Sequence, residues 1–269
     1  MPDLFYSIIV FIFGTIVGSF LNCVIYRLEQ GQSFLKGRSY CPLCKHTLSW
    51  QDLIPVLSFL FLKGKCKYCS QKISWQYPLV ELSTGILFLF IYLISKGPSS
   101  VIFNWVVSSF LIIIFIYDLK HYIIPDKIIY PAIFVSGIWY LVSGIWYLVS
   151  GIFLNIYTKY EIPNTIYSAF GAALFFLAIV LVSRGKWMGV GDIKLAFFMG
   201  LFLGWPDILV ALFSAFFIGA IIGTGLIVAG RKKLSSEVPF GPFLVTGTFL
   251  ALFFGEALTS WYLNLFLLK

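Results

Sequence analysis

Charge is scarce in this sequence. Asp, Glu, Lys and Arg make up 11% of its 269 residues, roughly half the share of an average soluble domain. Apolar residues fill their place at 60%, aromatics reach 19%, and the mean hydropathy is +0.95. A water-soluble fold of this length cannot hide so much apolar surface, which excludes a soluble enzyme. Low charge with many aromatics also excludes intrinsic disorder. What remains is a polytopic membrane protein. Phe alone (29) outnumbers Lys plus Arg (19).

A bilayer core of about 30 Å takes about 20 helical residues. Apolar runs cover roughly 4–26, 79–95, 101–117, 128–154, 165–183, 193–203, 208–230 and 241–268. They predict an all-α polytopic membrane protein of about eight transmembrane helices, the sixth too short to span comfortably. The first run has no basic segment before it and no small-residue cleavage site, so it is expected to be a retained helix over 1–26 and not a signal peptide. Bases are missing from one side of the predicted layout: of the 19, only Lys96, Lys159 and Lys269 fall there. The rest cluster between runs one and two and in the later loops of the same parity. This asymmetry puts the 27–78 loop in the cytoplasm and both termini outside. The net charge of +8 then reads as a topology signal and an attraction to anionic membrane lipid, with no nucleic-acid partner implied.

The 27–78 loop is the one soluble piece, and it carries Cys41-Pro-Leu-Cys44 and Cys66-Lys-Tyr-Cys69. Two C-x-x-C turns supply the four thiolates of a tetrahedral zinc site. Disulfides are disfavoured in a reducing cytoplasm. About 50 residues are too few for a large core, so the zinc would be structural in a small cytoplasmic zinc-binding loop domain. Cys23, inside an apolar run, reads as a small buried hydrophobe.

Acids in or beside the runs are costly in lipid and stand out individually. Glu81 lies one turn into the second run, where it could snorkel or pair with a base. Glu256 falls mid-span, where a helix-packing hydrogen bond would account for it. Asp118 ends the third run, and Asp192 stands in Gly189-Val190-Gly191-Asp192 before the sixth. Both are expected at one membrane boundary. Hydrolysis of a peptide bond without a nucleophilic side chain needs one carboxylate to activate water and a second carboxyl to hold the proton that polarises the carbonyl. Asp192 at a helix N-terminus suits the ionised base, and Asp118 at a helix C-terminus the proton-holder. Gly189 and Gly191 would let backbone approach an extended substrate. Taken singly, Asp192 also reads as an N-cap and Asp118 as a solvated helix end, while Asp126 after Pro125 would help cap a helix.

These residues together resemble the type IV prepilin peptidase family. The resemblance rests on 18–28 (Gly18-Ser19-Phe20-Leu21-Asn22-Cys23-Val24-Ile25-Tyr26-Arg27-Leu28), 38–44, Asp52-Leu53-Ile54-Pro55-Val56, 64–69, Tyr77-Pro78-Leu79-Val80-Glu81-Leu82, Asp118 with Ile124-Pro125-Asp126, and Gly189–Leu195. Pro239-Phe240-Gly241-Pro242 also fits. Membership implies a membrane aspartic protease of the G-x-G-D type in a bacterial inner membrane, with its peptidase domain over 79–269. Such an enzyme removes the short basic leader of prepilins and pseudopilins after a glycine at the cytoplasmic face. Many members then N-methylate the new terminus with S-adenosylmethionine. The resemblance implies that Asp118 and Asp192 are catalytic and that Cys41, Cys44, Cys66 and Cys69 hold zinc. No nucleotide-binding fingerprint is present, since Gly189-Val190-Gly191 runs directly into Asp192.

One segment departs from the family. Val135-Ser136-Gly137-Ile138-Trp139-Tyr140-Leu141 recurs as 142–148 and begins again at Val149. The extra heptad lengthens the fourth span by about 10 Å, and Gly137, Gly144 and Gly151 are expected to form a small-residue stripe for close packing. Two other classes compete. A transporter would show paired halves with midplane charges. A zinc-stabilised membrane scaffold would leave Asp118 and Asp192 unexplained.

Overall fold

The structure, a computed structural model, describes residues 4–33, 37–154, 162–230 and 238–267. Among the charges counted above, Lys36, Lys159, Arg231, Lys232, Lys233 and Lys269 lie outside the described residues. Each apolar run becomes a helix, and no strand occurs among the described residues. Among the described residues, seven helices are long and apolar enough to cross a membrane. The chain forms two compact units, Met1–Ile113 and Ile114–Lys269.

The first unit holds α1 (Leu4–Glu29), a short 3-10 turn (Gln51–Leu53), α2 (Leu57–Phe61), α3 (Gln76–Ile94) and the beginning of α4 (Pro98–His121). Lipid gives apolar faces no reason to associate, so helices in it approach through small residues. A Cβ added to Gly14 would lie 2.8 Å from the Gly85 Cα, and one on Gly18 would lie 2.8 Å from the Glu81 Cα. Glycine is thus what lets α1 and α3 touch backbone to backbone. Asn22 bridges the pair, its Nδ2 donating to Tyr77 O at 3.1 Å and its Oδ1 accepting from Gln76 Nε2 at 3.3 Å. Glu81 meets no base among the described residues: its carboxylate accepts the Val56 N–H at 2.7 Å and the Ser19 hydroxyl.

The second unit holds the end of α4, α5 (Asp126–Leu154), α6 (Ile162–Ser183), α7 (Val190–Leu203), α8 (Asp207–Val228) and α9 (Gly241–Leu267). At 14 residues α7 is about 21 Å long, too short for the bilayer core. It does not need to span. It packs on α5, α6, α8 and α9, and Leu195, Ala196, Phe198 and Met199 are fully buried. A helix apolar on all sides belongs inside a bundle. A Cβ on Gly200 would fall 2.5 Å from the Ala169 Cα, so α6 and α7 meet as closely as α1 and α3. The α7 C-terminus is received by side chains, Tyr140 Oη donating to Phe202 O at 2.9 Å and Asn164 Nδ2 to Trp205 O at 3.1 Å. Glu256 is exposed and lies near Asp207, the first residue of α8.

The duplicated heptad continues α5 as helix. The glycine stripe is not a close-packing seam at Gly137, where an added Cβ would meet no atom within 4 Å. Side chains of 145–154, and with them the position of Gly151 in the expected stripe, lie outside the described residues. The first copy is anchored instead by the Tyr140 hydrogen bond to α7.

These two kinds of glycine predict opposite outcomes. Gly200→Ala forces its methyl into α6 backbone and should cost about 1–3 kcal/mol. Gly137→Ala should be neutral or stabilising by up to about 1 kcal/mol. Thermal unfolding of both variants in the same detergent checks the contrast.

Candidate functional site

Two clusters of chemistry-bearing residues emerge, one in each unit. In the first unit the cysteine turns are built to one pattern 25 residues apart. Cys41 N donates to His46 O at 2.9 Å, Lys45 N to Cys41 O at 3.0 Å and Leu48 N to Ser39 O at 2.9 Å. Cys66 N donates likewise to Gln71 O at 2.8 Å, Ser70 N to Cys66 O at 2.9 Å and Ile73 N to Gly64 O at 2.8 Å. Lys45 and Ser70 both take left-handed backbone at φ 59°. The sequence repeats with the geometry, Ser49-Trp50-Gln51 answering Ser74-Trp75-Gln76. This repeat was missed in reading the sequence, because the cysteine spacing alone draws the eye.

The four Sγ atoms lie within 4.8 Å of one another, and all four thiols are free. Cys41 Sγ and Cys69 Sγ are 4.0 Å apart, about twice a disulfide bond length and close to the edge, about 3.8 Å, of a tetrahedron with 2.3 Å metal–sulfur bonds. Cys41 and Cys66 are buried. The set can hold a metal ion. Around it, His46 stacks on Tyr68 with ring centroids 3.7 Å apart, tying one turn to the other. Asp52 accepts from Ser49 N (3.0 Å), Ser49 Oγ (2.8 Å) and Tyr68 Oη (2.9 Å). Burial pushes the Asp52 carboxyl up, but these hydrogen bonds and nearby Lys67 outweigh it and hold it below the usual carboxylate range. Cys23 is half-buried and lies on α1, outside the cluster.

In the second unit Asp118 and Asp192 come together, near enough for the Asp118 charge to act on Asp192. Both are buried, with 4% and 8% exposure. Asp192 is the third residue of α7, behind an N-cap at Gly189. Asp192 N donates to Gly189 O at 3.2 Å, and Gly189 N donates back to Asp192 Oδ2 at 3.1 Å. Asp192 is therefore not itself the N-cap; its carboxylate closes a reciprocal cap across the first turn. Gly191 packs on Ile124, whose Cβ would stand 3.2 Å from an added methyl. At Gly189 a Cβ would meet only Gly191 N and Asp192 Oδ2, at 3.9 and 4.0 Å.

Asp118 lies one turn before the end of α4, as expected, yet it also faces a helix start. The Gly241 N–H at the beginning of α9 donates to its carboxylate. Phe240 O already takes the Phe243 and Leu244 N–H groups, at 3.0 and 3.1 Å, and Pro242 has none. Gly241 is thus the donor this turn can spare. A Cβ there would lie 2.5 Å from Asp118 Oδ2. Both carboxylates therefore sit at helix N-termini, and helix ends do not distinguish base from proton-holder as the sequence suggested. Gly241 is the contributor that sequence reasoning passed over. Its signal was Gly-Pro at the head of an apolar run, a helix start without a polar N-cap.

Asp126 stands apart from the pair. It is the first residue of α5, 61% exposed, and bonds Lys194 Nζ at 2.6 Å. Lys194 also sits 4.9 Å above the Tyr130 ring. With the Gly191–Ile124 contact, this pair fastens the start of α7 to the α4–α5 turn.

Comparison with known proteins matches both halves of the chain. Residues 12–95 match the bacterial peptidase A24 N-terminal domain, and residues 105–224 match the type IV leader peptidase family. A prepilin leader peptidase/N-methyltransferase of Bacillus subtilis (strain 168) is 35% identical, over 96% of this chain and 98% of its own length. One from Aeromonas salmonicida (strain A449) is 30% identical over 98% and 96%. No solved structure matches. With a relative of this identity aligned end to end and both domain models satisfied, the chain belongs to the type IV prepilin peptidase family and is a multi-pass membrane protease.

Proposed function

We infer that this enzyme cuts the short basic leader from type IV prepilins or pseudopilins, after a glycine and at the cytoplasmic membrane face, with Asp118 and Asp192 as its catalytic pair. One observation carries the reading: two buried carboxylates from distant stretches of chain share one cluster of helix ends, each accepting a backbone N–H. In this reading one carboxylate takes a proton from water as the oxygen attacks the scissile carbonyl. The other, protonated, donates to the carbonyl oxygen and takes that proton back as the diol collapses, while the first carboxyl passes the proton it took from water to the leaving amine. Gly189 and Gly241 are positioning residues, each holding a carboxylate through its N–H. Open space at the Gly189 Cα suits an extended substrate backbone. The Gly191 Cα, covered by Ile124, suits it less.

Zinc fits the four cysteines, held by Cys41, Cys44, Cys66 and Cys69 as thiolates, and its role would be to fold the two turns into one body. Further parts of the reading are N-methylation of the new terminus with S-adenosylmethionine, termini on the outer side and contact with anionic lipid.

Asp118→Asn and Asp192→Asn should each slow cleavage of a prepilin leader by at least about a hundredfold, without loss of folded protein. Gly241→Ala should lower the cleavage rate and the melting temperature by pushing on Asp118. In an Asp118→Ala background the added methyl finds room, so the melting loss should largely vanish. Rate assays and a thermal double-mutant cycle read both effects.

Purified protein should carry one zinc per chain by elemental analysis. Cys41→Ser with Cys66→Ser should abolish it and expose the 27–78 segment to limited proteolysis, while the α-helical bundle stays folded.

A further inference from the structure

We propose that α2 is a membrane-interface helix: its exposed apolar face seats in the headgroup–acyl boundary of an anionic bilayer, beside the span formed by α3. The loop that contains it was expected to be soluble, and its surface is not what water would leave uncovered. Leu57, Leu60 and Phe61 are 50%, 59% and 83% exposed. Their i, i+3, i+4 spacing puts them on one face. Phe59 points the other way and is buried, its ring 4.9 Å from Trp75.

Depth comes from a hydrogen bond. Val56, the N-cap of α2, donates to Glu81 at 2.7 Å. Glu81 is the sixth residue of α3, about 7 Å along it at 1.5 Å per residue. All 19 residues of α3 amount to about 28 Å, so the helix has no length to spare in crossing a core of about 30 Å. Gln76 must then stand at the core boundary and Glu81 beneath it. The α2 backbone tied to Glu81 is held at that depth too, within the range of about 5–10 Å at which amphipathic helices lie in an interface. Trp75, the N-cap of α3 and 67% exposed, takes the place of an interfacial aromatic anchor.

Charge identifies the lipid. After Phe61 the chain reverses through Lys63 and Gly64, both at positive φ, and Lys63, Lys65 and Lys67 are all exposed. They follow the buried end of α2 closely enough to snorkel toward phosphate. Each base near an anionic surface contributes about 1 kcal/mol. The apolar face and the adjoining lysines together fit phosphatidylglycerol-type headgroups and their acyl chains better than they fit a peptide.

Full-length protein in nanodiscs of equal phosphatidylglycerol and phosphatidylcholine, carrying Phe61→p-benzoylphenylalanine, tests this by photocrosslinking and mass spectrometry. Lipid adducts are expected at Phe61 and at Leu60 replaced the same way. They should be at least tenfold fewer at Gln71, an exposed knuckle position. Phosphatidylglycerol adducts should outnumber phosphatidylcholine adducts twofold or more at Phe61, and Lys63→Gln with Lys65→Gln should remove the excess. Adducts to this chain's own peptides or to a second copy, or lipid yields at Phe61 no higher than at Gln71, would overturn the proposal. A headgroup ratio equal to the bulk would overturn its anionic half. Because the readout is contact and not cleavage, it stands or falls separately from the peptidase reading.

Discussion

Two carboxylates buried where helices begin are the constraint around which the second unit is organised. A carboxylate out of water needs hydrogen-bond donors, and inside a helical bundle the backbone offers unpaired N–H groups only at helix starts. Asp192 finds one at Gly189 and Asp118 finds one at Gly241. Both demands shape the chain around them. α7 turns Asp192 inward within its first turn, stays short and is apolar beyond Lys194. α9 starts with a residue that has no side chain, next to a proline that has no N–H. The Asp126–Lys194 pair and the Gly191–Ile124 contact then hold the start of α7 in register with the turn that follows Asp118.

Backbone proximity, bought with glycine, recurs through the molecule. α1 meets α3 at Gly14, Gly18 and Gly85, and α6 meets α7 at Gly200. The first of these contacts also sets the base on which the cysteine-bearing loop stands, since Asn22 and Glu81 on the same helices bond Tyr77, Gln76 and Val56. The cysteine turns and the apolar face of α2 thus extend from one tightly packed helix pair.

Much of this was legible in the sequence. Eight apolar runs became eight helices, because lipid enforces length and hydropathy with little tolerance. The cysteine spacing gave the metal-capable cluster, because two ligands per tight turn leave few alternatives. Asp118 and Asp192 stood out because charge in lipid is rare. The rest depended on tertiary contact. Gly241 differs from other glycines only by facing Asp118, and Gly137 lies in a conspicuous stripe yet faces open space. Glu81 reads as an isolated acid until Val56 is folded back onto it. Helix ends appeared to separate the two aspartates only while the start of α9 was out of view.

The most direct test of the central claim is the origin of the oxygen in the cleaved leader. In a single turnover with enzyme in excess, in water enriched in oxygen-18, the account predicts one heavy oxygen in the new C-terminal carboxylate of every product molecule, because the pair activates water. Light oxygen in that first turnover, delivered from an aspartate side chain through a covalent intermediate, would contradict it.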